Sequence, residues 1–167
     1  MPADRRSALR RTYLSLGLGE LVAALVFTIV AVLVVVPRLE SASDVTAVWS
    51  ALVPLLVVLV QAGTYWLAAR SWVALRPMPR AWATTYRLFR FADVAVLTVG
   101  LVGVIAWWPD GLGTMLLVLA VWLFGVIEYV NYFVARLSYP FGRWFTEVWR
   151  WRTPRLVQDL GRAAGRR

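Results

Sequence analysis

The chain has 167 residues, of which 60% are hydrophobic and 16% are charged. Globular domains average about 45–50% apolar and about 25% charged residues, so this composition excludes an ordinary soluble domain and a disordered chain. The sequence contains no cysteine, histidine or lysine. Disulfides, thiol and histidine catalysis, lysine Schiff bases and a Walker-type phosphate loop are therefore excluded, and no cofactor or metal site is predicted.

Four apolar segments follow one another along the chain, at residues 14–36, 47–69, 91–108 and 112–134. Each can cross a hydrocarbon core about 30 Å thick at about 1.5 Å per residue. Short loops join antiparallel neighbours, so we predict an all-α integral membrane protein built as an antiparallel four-transmembrane-helix bundle. Residues 1–13 form a basic N-terminus, residues 14–136 the transmembrane domain and residues 137–167 a basic amphipathic tail.

The arginines predict the orientation of the bundle. Every arginine except Arg38 lies before the first apolar segment, between the second and third, or after the fourth. The positive-inside rule places these regions in the cytoplasm. We therefore predict a multi-pass protein of a bacterial plasma (inner) membrane with both termini cytoplasmic. The placement of the arginines accounts for the net charge of +9, so this charge does not predict a nucleic-acid partner.

The second and fourth segments end in similar sequences, at residues 61–68 and 128–135. The first and third segments each carry an acid, Glu20 or Asp93, that precedes an outer proline, Pro37 or Pro109. This pattern suggests two helical hairpins repeated in the same orientation, as occurs in some transporters. Chance similarity between apolar segments is the competing explanation.

Polar residues within the spans are confined to the cytoplasmic half. Counted from the bordering arginines, Glu20, Gln61 and Glu128 lie about 12–13 Å inside, and Asp93 about 5 Å inside. A carboxylate at such depth usually faces the bundle interior or a water-filled cavity. The predicted ligand-binding set is Glu20, Gln61, Thr64, Asp93, Glu128, Asn131 and Tyr132.

The members of this set have different competing interpretations. For Glu20 and Glu128 we favour ligand binding in a cytoplasm-facing cavity. For Gln61, Thr64 and Asn131 we favour interhelical hydrogen bonds that hold the bundle together. For Asp93 we favour a structural role, either capping the N-terminus of its helix or pairing with a neighbouring arginine, Arg87 or Arg90.

The tail alternates aromatic and basic residues from residue 141 to residue 152. This pattern predicts an amphipathic helix in the membrane interface that binds anionic lipid. The predicted lipid-binding residues are Arg143, Trp144, Trp149, Arg150, Trp151 and Arg152. Thr153 and Pro154 then predict the start of a second short helix. Its apolar stripe could dock on a partner protein, on lipid or on the protein's own arginine loop.

Three functions remain open from the sequence. The leading one is a non-enzymatic protein that binds a small cationic or polar ligand, or a lipid head group, around Glu20 and Glu128, as a transporter or channel-like subunit. A glutamate in the first of four spans resembles the small multidrug resistance proteins, but those chains are shorter and less biased in charge, so we do not assign that family. As an alternative, the arginine-rich cytoplasmic face and tail would bind a partner complex or anionic lipid in a structural or regulatory role.

A lipid-modifying enzyme is the third hypothesis. It is disfavoured because Glu20, Asp93 and Glu128 lie on different predicted helices and form no paired-acid motif. The expected partners are membrane lipids, anionic at the cytoplasmic leaflet, with a homo-oligomer or a larger membrane complex left open.

Overall fold

The computed structural model describes residues 2–135 and 153–164, with side chains described from residue 4 onward. These residues form five α-helices and contain no strand. The helices are α1 (Pro2–Val30), α2 (Ala42–Ala69), α3 (Arg80–Ala106), α4 (Leu112–Phe133) and α5 (Arg155–Ala164). The helices α1 to α4 are long and apolar enough to cross a membrane, which confirms the all-helical prediction with four candidate spans.

Two helices begin well before the apolar segments that predicted them. α1 begins at Pro2 and α3 at Arg80, whereas hydropathy placed the starts at residues 14 and 91. Hydropathy detects where a helix becomes apolar, and both helices start with a polar, arginine-bearing stretch. At its other end α1 continues through a π-helical turn, Ala31–Val35, and a 3₁₀ turn, Val36–Arg38, where Pro37 cannot continue an α-helical hydrogen-bond ladder.

α2 is the central helix of the structure. It packs against α1, α3 and α4, whereas α3 and α4 pack less extensively against each other. The pairs α1–α2 and α3–α4 are therefore packed differently. The packing gives no support to the hypothesis that these two hairpins are repeats.

Glycines bring α1 and α2 close together. A Cβ atom added at Gly17 would lie 2.8 Å from Leu67 Cγ, and one added at Gly63 would lie 2.8 Å from Leu21 Cγ. The two helices therefore approach closely because residues 17 and 63 have no side chain. At Gly19 a Cβ atom would meet nothing within 4 Å, so this glycine has no such packing role.

α3 approaches α2 where proline interrupts the hydrogen bonding of α2. Pro54 lies inside the helix, and because it has no backbone N–H the carbonyl of Ser50 loses its usual partner. A Cβ atom at Gly100 of α3 would lie 2.6 Å from that carbonyl oxygen and 2.6 Å from Pro54 Cγ. The two helices therefore fit together because residue 100 has no side chain.

The N-terminal half of α1, the last turns of α2 and the first turns of α3 form what we call the arginine-rich end. Its core is aromatic and includes Tyr13, Tyr65, Trp72 and Tyr86. α5 docks onto this core through its buried leucines, Leu156 and Leu160. The sequence left open whether this helix docks on a partner protein, on lipid or on the protein itself. In the structure it docks on the protein itself. The predicted interfacial helix at residues 141–152 lies outside the described residues.

Candidate functional site

A cavity of about 310 Å³ lies at the arginine-rich end, between α1, α2, α4 and the start of α5. We call it the Glu20 cavity. Glu20 supplies its carboxylate from α1, and Asn131 and Tyr132 supply polar atoms from α4. The remaining lining residues are Thr12, Tyr13, Leu16, Trp66, Pro154, Arg155 and Leu156.

A chain of hydrogen bonds across three helices orients Glu20. The hydroxyl of Tyr132 donates to Glu20 Oε1. The indole Nε1 of Trp66 donates in turn to the Tyr132 hydroxyl over 3.1 Å. Tyr13 packs edge-on against Trp66 with ring centroids 4.9 Å apart. The carboxylate is thus fixed beside aromatic rings, an arrangement that suits a positively charged ligand.

Glu128 lies next to this cavity without lining it. Its carboxylate interacts electrostatically with that of Glu20, and Asn131, one turn later on α4, hydrogen-bonds to it. The carboxylates of Glu20 and Glu128, which come from different helices, therefore both contribute negative potential at the Glu20 cavity. Among the described residues, no three or more Asp or Glu side chains converge in a way that could hold a metal ion.

Gln61 and Asp93 form a separate polar contact between α2 and α3. The Gln61 side-chain Nε2 donates to Asp93 Oδ1 over 2.8 Å. The hydroxyl of Tyr86 donates to the backbone carbonyl of Gln61, also over 2.8 Å. Neither Gln61 nor Asp93 lines the Glu20 cavity. This contact is the interhelical hydrogen bonding that the sequence favoured for Gln61.

The two structural contacts predicted for Asp93 are not the ones in the structure. α3 begins at Arg80, so Asp93 lies in the middle of the helix and cannot cap its N-terminus. Its side chain is almost fully buried among the helices, at 1% exposure. Its carboxylate accepts from Gln61 of the neighbouring helix, so its partner is an amide rather than a nearby arginine.

Thr64 is not brought together with the other predicted residues. It lies on an exposed face of α2, and its hydroxyl donates to the carbonyl of Val60 in its own helix. Of the seven predicted ligand-binding residues, the structure places Glu20, Asn131 and Tyr132 in the cavity and Glu128 beside it. The predicted lipid-binding residues, Arg143 to Arg152, lie outside the described residues.

Asp159 holds α5 against the bundle and so completes the cavity. It is buried, and its Oδ2 accepts from the Tyr65 hydroxyl over 2.9 Å and from Trp72 Nε1 over 3.4 Å. Arg155 and Arg162 lie 3.5 and 3.9 Å from its Oδ1. Because Arg155 is paired in this way, Glu20 sets the charge of the cavity that both residues line.

A second cavity, about 570 Å³ in volume, lies between α5 and the segment that follows α2. We call it the Arg76 pocket. Three arginines, Arg76, Arg155 and Arg162, line it together with Asp159. Its remaining lining residues are Trp72, Val73, Ala74, Leu75 and Pro77. With three guanidinium groups and one carboxylate, its charge suits an anion.

Sequence reasoning missed three of the groups that build these sites: Trp66, Arg155 and Asp159. A usable signal existed for Asp159, because an acid between Leu156 and Leu160 lies on the apolar stripe of its helix, where a charge is expected only with partners. No comparable signal pointed to Trp66 or Arg155, whose roles depend on contacts between segments distant in sequence.

Comparison of the chain with protein-family models, with curated proteins and with solved structures finds no match.

Proposed function

We propose that the chain is an integral membrane protein of four antiparallel spans that binds a small positively charged or amine-bearing ligand in the Glu20 cavity, with this cavity open to the cytoplasm. An antiparallel arrangement of α1 and α2 is supported by the order of two contacts along the pair. Gly17 packs against Gly63 and Leu67 near the end of α2, whereas Ala31 packs with Leu52 earlier in α2. Cytoplasmic termini are supported by the arginine distribution.

The observation that carries the proposal is the placement of Glu20. Its carboxylate lines a cavity large enough for a small organic ligand, and its hydrogen-bonded partner Tyr132 fixes its orientation. A carboxylate at this depth of an apolar bundle is costly unless it has partners, water or a counter-charge. A cationic ligand would supply that counter-charge, which is the behaviour expected of a small transporter or channel-like subunit.

Binding of ethylammonium to the purified protein in detergent tests this proposal. Calorimetric titration should show binding to the wild type and at least a tenfold loss in the Glu20→Gln variant, because the neutral amide removes the charge and keeps the shape. Glu40→Gln is the matched control, since Glu40 is exposed in the loop before α2. Equal binding by the wild type and Glu20→Gln would refute the assignment of the site.

Access from the cytoplasm has its own test in the cysteine-free chain. A single cysteine at Asn131 should react with a membrane-impermeant maleimide only from the cytoplasmic side of sealed vesicles. A cysteine at Thr64, on the outer face of α2, should face lipid and stay unlabelled. Cysteines at Ser71 and Asp110, both exposed in loops, should label from opposite sides and so report the orientation. Labelling of both loops from one side would refute the topology.

A structural or regulatory role is a second candidate, favoured by the Arg76 pocket. The pocket has more arginines than carboxylates even after Arg155 is paired with Asp159, and this excess positive charge would hold the phosphate of an anionic lipid at the cytoplasmic leaflet. Native mass spectrometry should then show more bound phosphatidylglycerol than phosphatidylcholine. The double change Arg76→Gln and Arg162→Gln should remove the difference, whereas Arg38→Gln, at the opposite end, should leave it. Retained preference in the double variant would count against this role.

A further inference from the structure

A third cavity lies beyond the Glu20 cavity between the same three helices. It has a volume of about 120 Å³ and is lined only by apolar side chains. α1 contributes Phe27, Val30, Ala31 and Val35, α2 contributes Val48 and Leu52, and α4 contributes Leu117, Val118 and Val121. For scale, an engineered dry cavity of about 150 Å³ binds benzene, so this space, which we call the apolar pocket, suits a short stretch of hydrocarbon.

The two cavities lie one beyond the other between α1 and α4, and we call the line that joins them the groove. On α1, Ala31 of the apolar pocket lies eleven residues after Glu20, and on α4, Val121 lies eleven residues before Tyr132. Both offsets correspond to about 16 Å along the helix axis. The groove therefore runs between α1 and α4 over the surface of α2, with a carboxylate at one end and hydrocarbon at the other.

One aromatic contact lies across the groove between the cavities. The rings of Phe27 and Phe124 have centroids 5.8 Å apart and a tilted geometry. Neither ring is hydrogen-bonded, since a phenyl side chain has no polar atom, so rotation of Phe27 breaks only van der Waals contacts. A ligand that occupies both cavities at once would therefore have to displace this contact.

We propose that this groove holds an amphiphile with an amine-bearing head group in the Glu20 cavity and its hydrocarbon chain in the apolar pocket. The inference rests on the proposed function, because it extends the ligand of the Glu20 cavity. Charge complementarity assigns the head group, since Glu20 carries the charge of its cavity and Arg155 is paired with Asp159. The polarity gradient along the groove assigns the chain, because a purely hydrophilic ligand would leave the apolar pocket unused.

The experiment uses the full-length protein in phosphatidylcholine nanodiscs and a dodecylamine that carries a diazirine at its chain end. After illumination, adducts located by mass spectrometry should concentrate on the segments that line the apolar pocket, residues 27–35, 48–52 and 117–121. Ala31→Leu should lower this labelling at least tenfold, because Ala31 is buried at the pocket and the added side chain fills it. Ala120→Leu, on an exposed position of α4, is the matched control and should label like the wild type.

Val118→Phe fills the same pocket from α4 and should give the same loss, so the test does not depend on the folding of one variant. If lipid-exposed positions label uniformly and neither filled variant changes this labelling, the amphiphile proposal is refuted. The proposed function still stands in that case, provided that ethylammonium binds in a Glu20-dependent way. Failure of ethylammonium to bind would refute the proposed function instead. Loss of pocket labelling in Glu20→Gln would support the inference by linking head group and chain.

Discussion

Replacing Asp159 with asparagine should loosen α5 from the bundle by about 1–2 kcal/mol. Hydrogen bonds to a charged group contribute about 1.5–3 kcal/mol and those between neutral groups about 0.5–1.5 kcal/mol, so neutralising the acceptor of the Tyr65 hydroxyl loses about 1–1.5 kcal/mol. The ion pairs add at most a few tenths, because the Arg155 and Arg162 side chains are 36% and 60% exposed. The population of undocked α5 should rise about 5- to 30-fold.

Cysteine labelling measures this population directly because the natural chain has no cysteine. Leu160→Cys places a thiol where the native side chain is only 8% exposed, so it reacts with maleimide only when α5 undocks. Combining it with Asp159→Asn should raise the labelling rate by the same 5- to 30-fold. Gly161→Cys, at an exposed position, should react rapidly with or without the Asp159 change.

Two outcomes would refute the reasoning about α5. If Leu160→Cys alone labels as fast as Gly161→Cys, α5 is not docked. If Asp159→Asn leaves the Leu160→Cys rate unchanged, the helix is held by its leucines and the buried carboxylate contributes nothing measurable.

Four further substitutions test the bundle by unfolding in mixed detergent micelles, followed by tryptophan fluorescence. Gly100→Ala should destabilise the protein by about 1–3 kcal/mol, because its Cβ atom would lie 2.6 Å from a backbone oxygen, whereas Gly19→Ala, in open space, should be neutral or stabilising by up to about 1 kcal/mol. Equal effects would contradict the close packing of α2 and α3. Tyr132→Phe should cost about 1.5–3 kcal/mol and Tyr86→Phe only about 1 kcal/mol, since the first hydroxyl donates to a carboxylate and the second to a carbonyl. Equal costs would indicate that the acceptor of Tyr132 carries no charge.

The apolar segments could be found from the sequence because membrane-length hydropathy depends on local composition alone. The same method misplaced the starts of α1 and α3, since a helix that carries arginines is not apolar where it begins. That error moved Asp93 to the shallow edge of its span, whereas it lies in the middle of α3 and accepts from Gln61. A bordering arginine therefore does not mark where a helix begins.

The candidate site was predictable only in part. Glu20, Asn131 and Tyr132 were found because polar residues within an apolar span stand out individually. Their grouping was not predictable, because it depends on which helix faces which. The contact of Asp159 with Tyr65 joins residues 94 positions apart, and no local pattern specifies such a pair.

The central position of α2 has a consequence for how the chain assembles. α1 and α2 are synthesised first, and their contact through Gly17 and Gly63 needs no later segment. The finished pair still presents the surface around Pro54, onto which α3 packs through Gly100, and the surface that receives α4. The second half of the chain, α3 and α4, can therefore pack onto a pair of helices that has already formed. Two separately translated fragments, divided between α2 and α3 within residues 70–79, should therefore reassemble into the native bundle, whereas fragments that lack α2 should not.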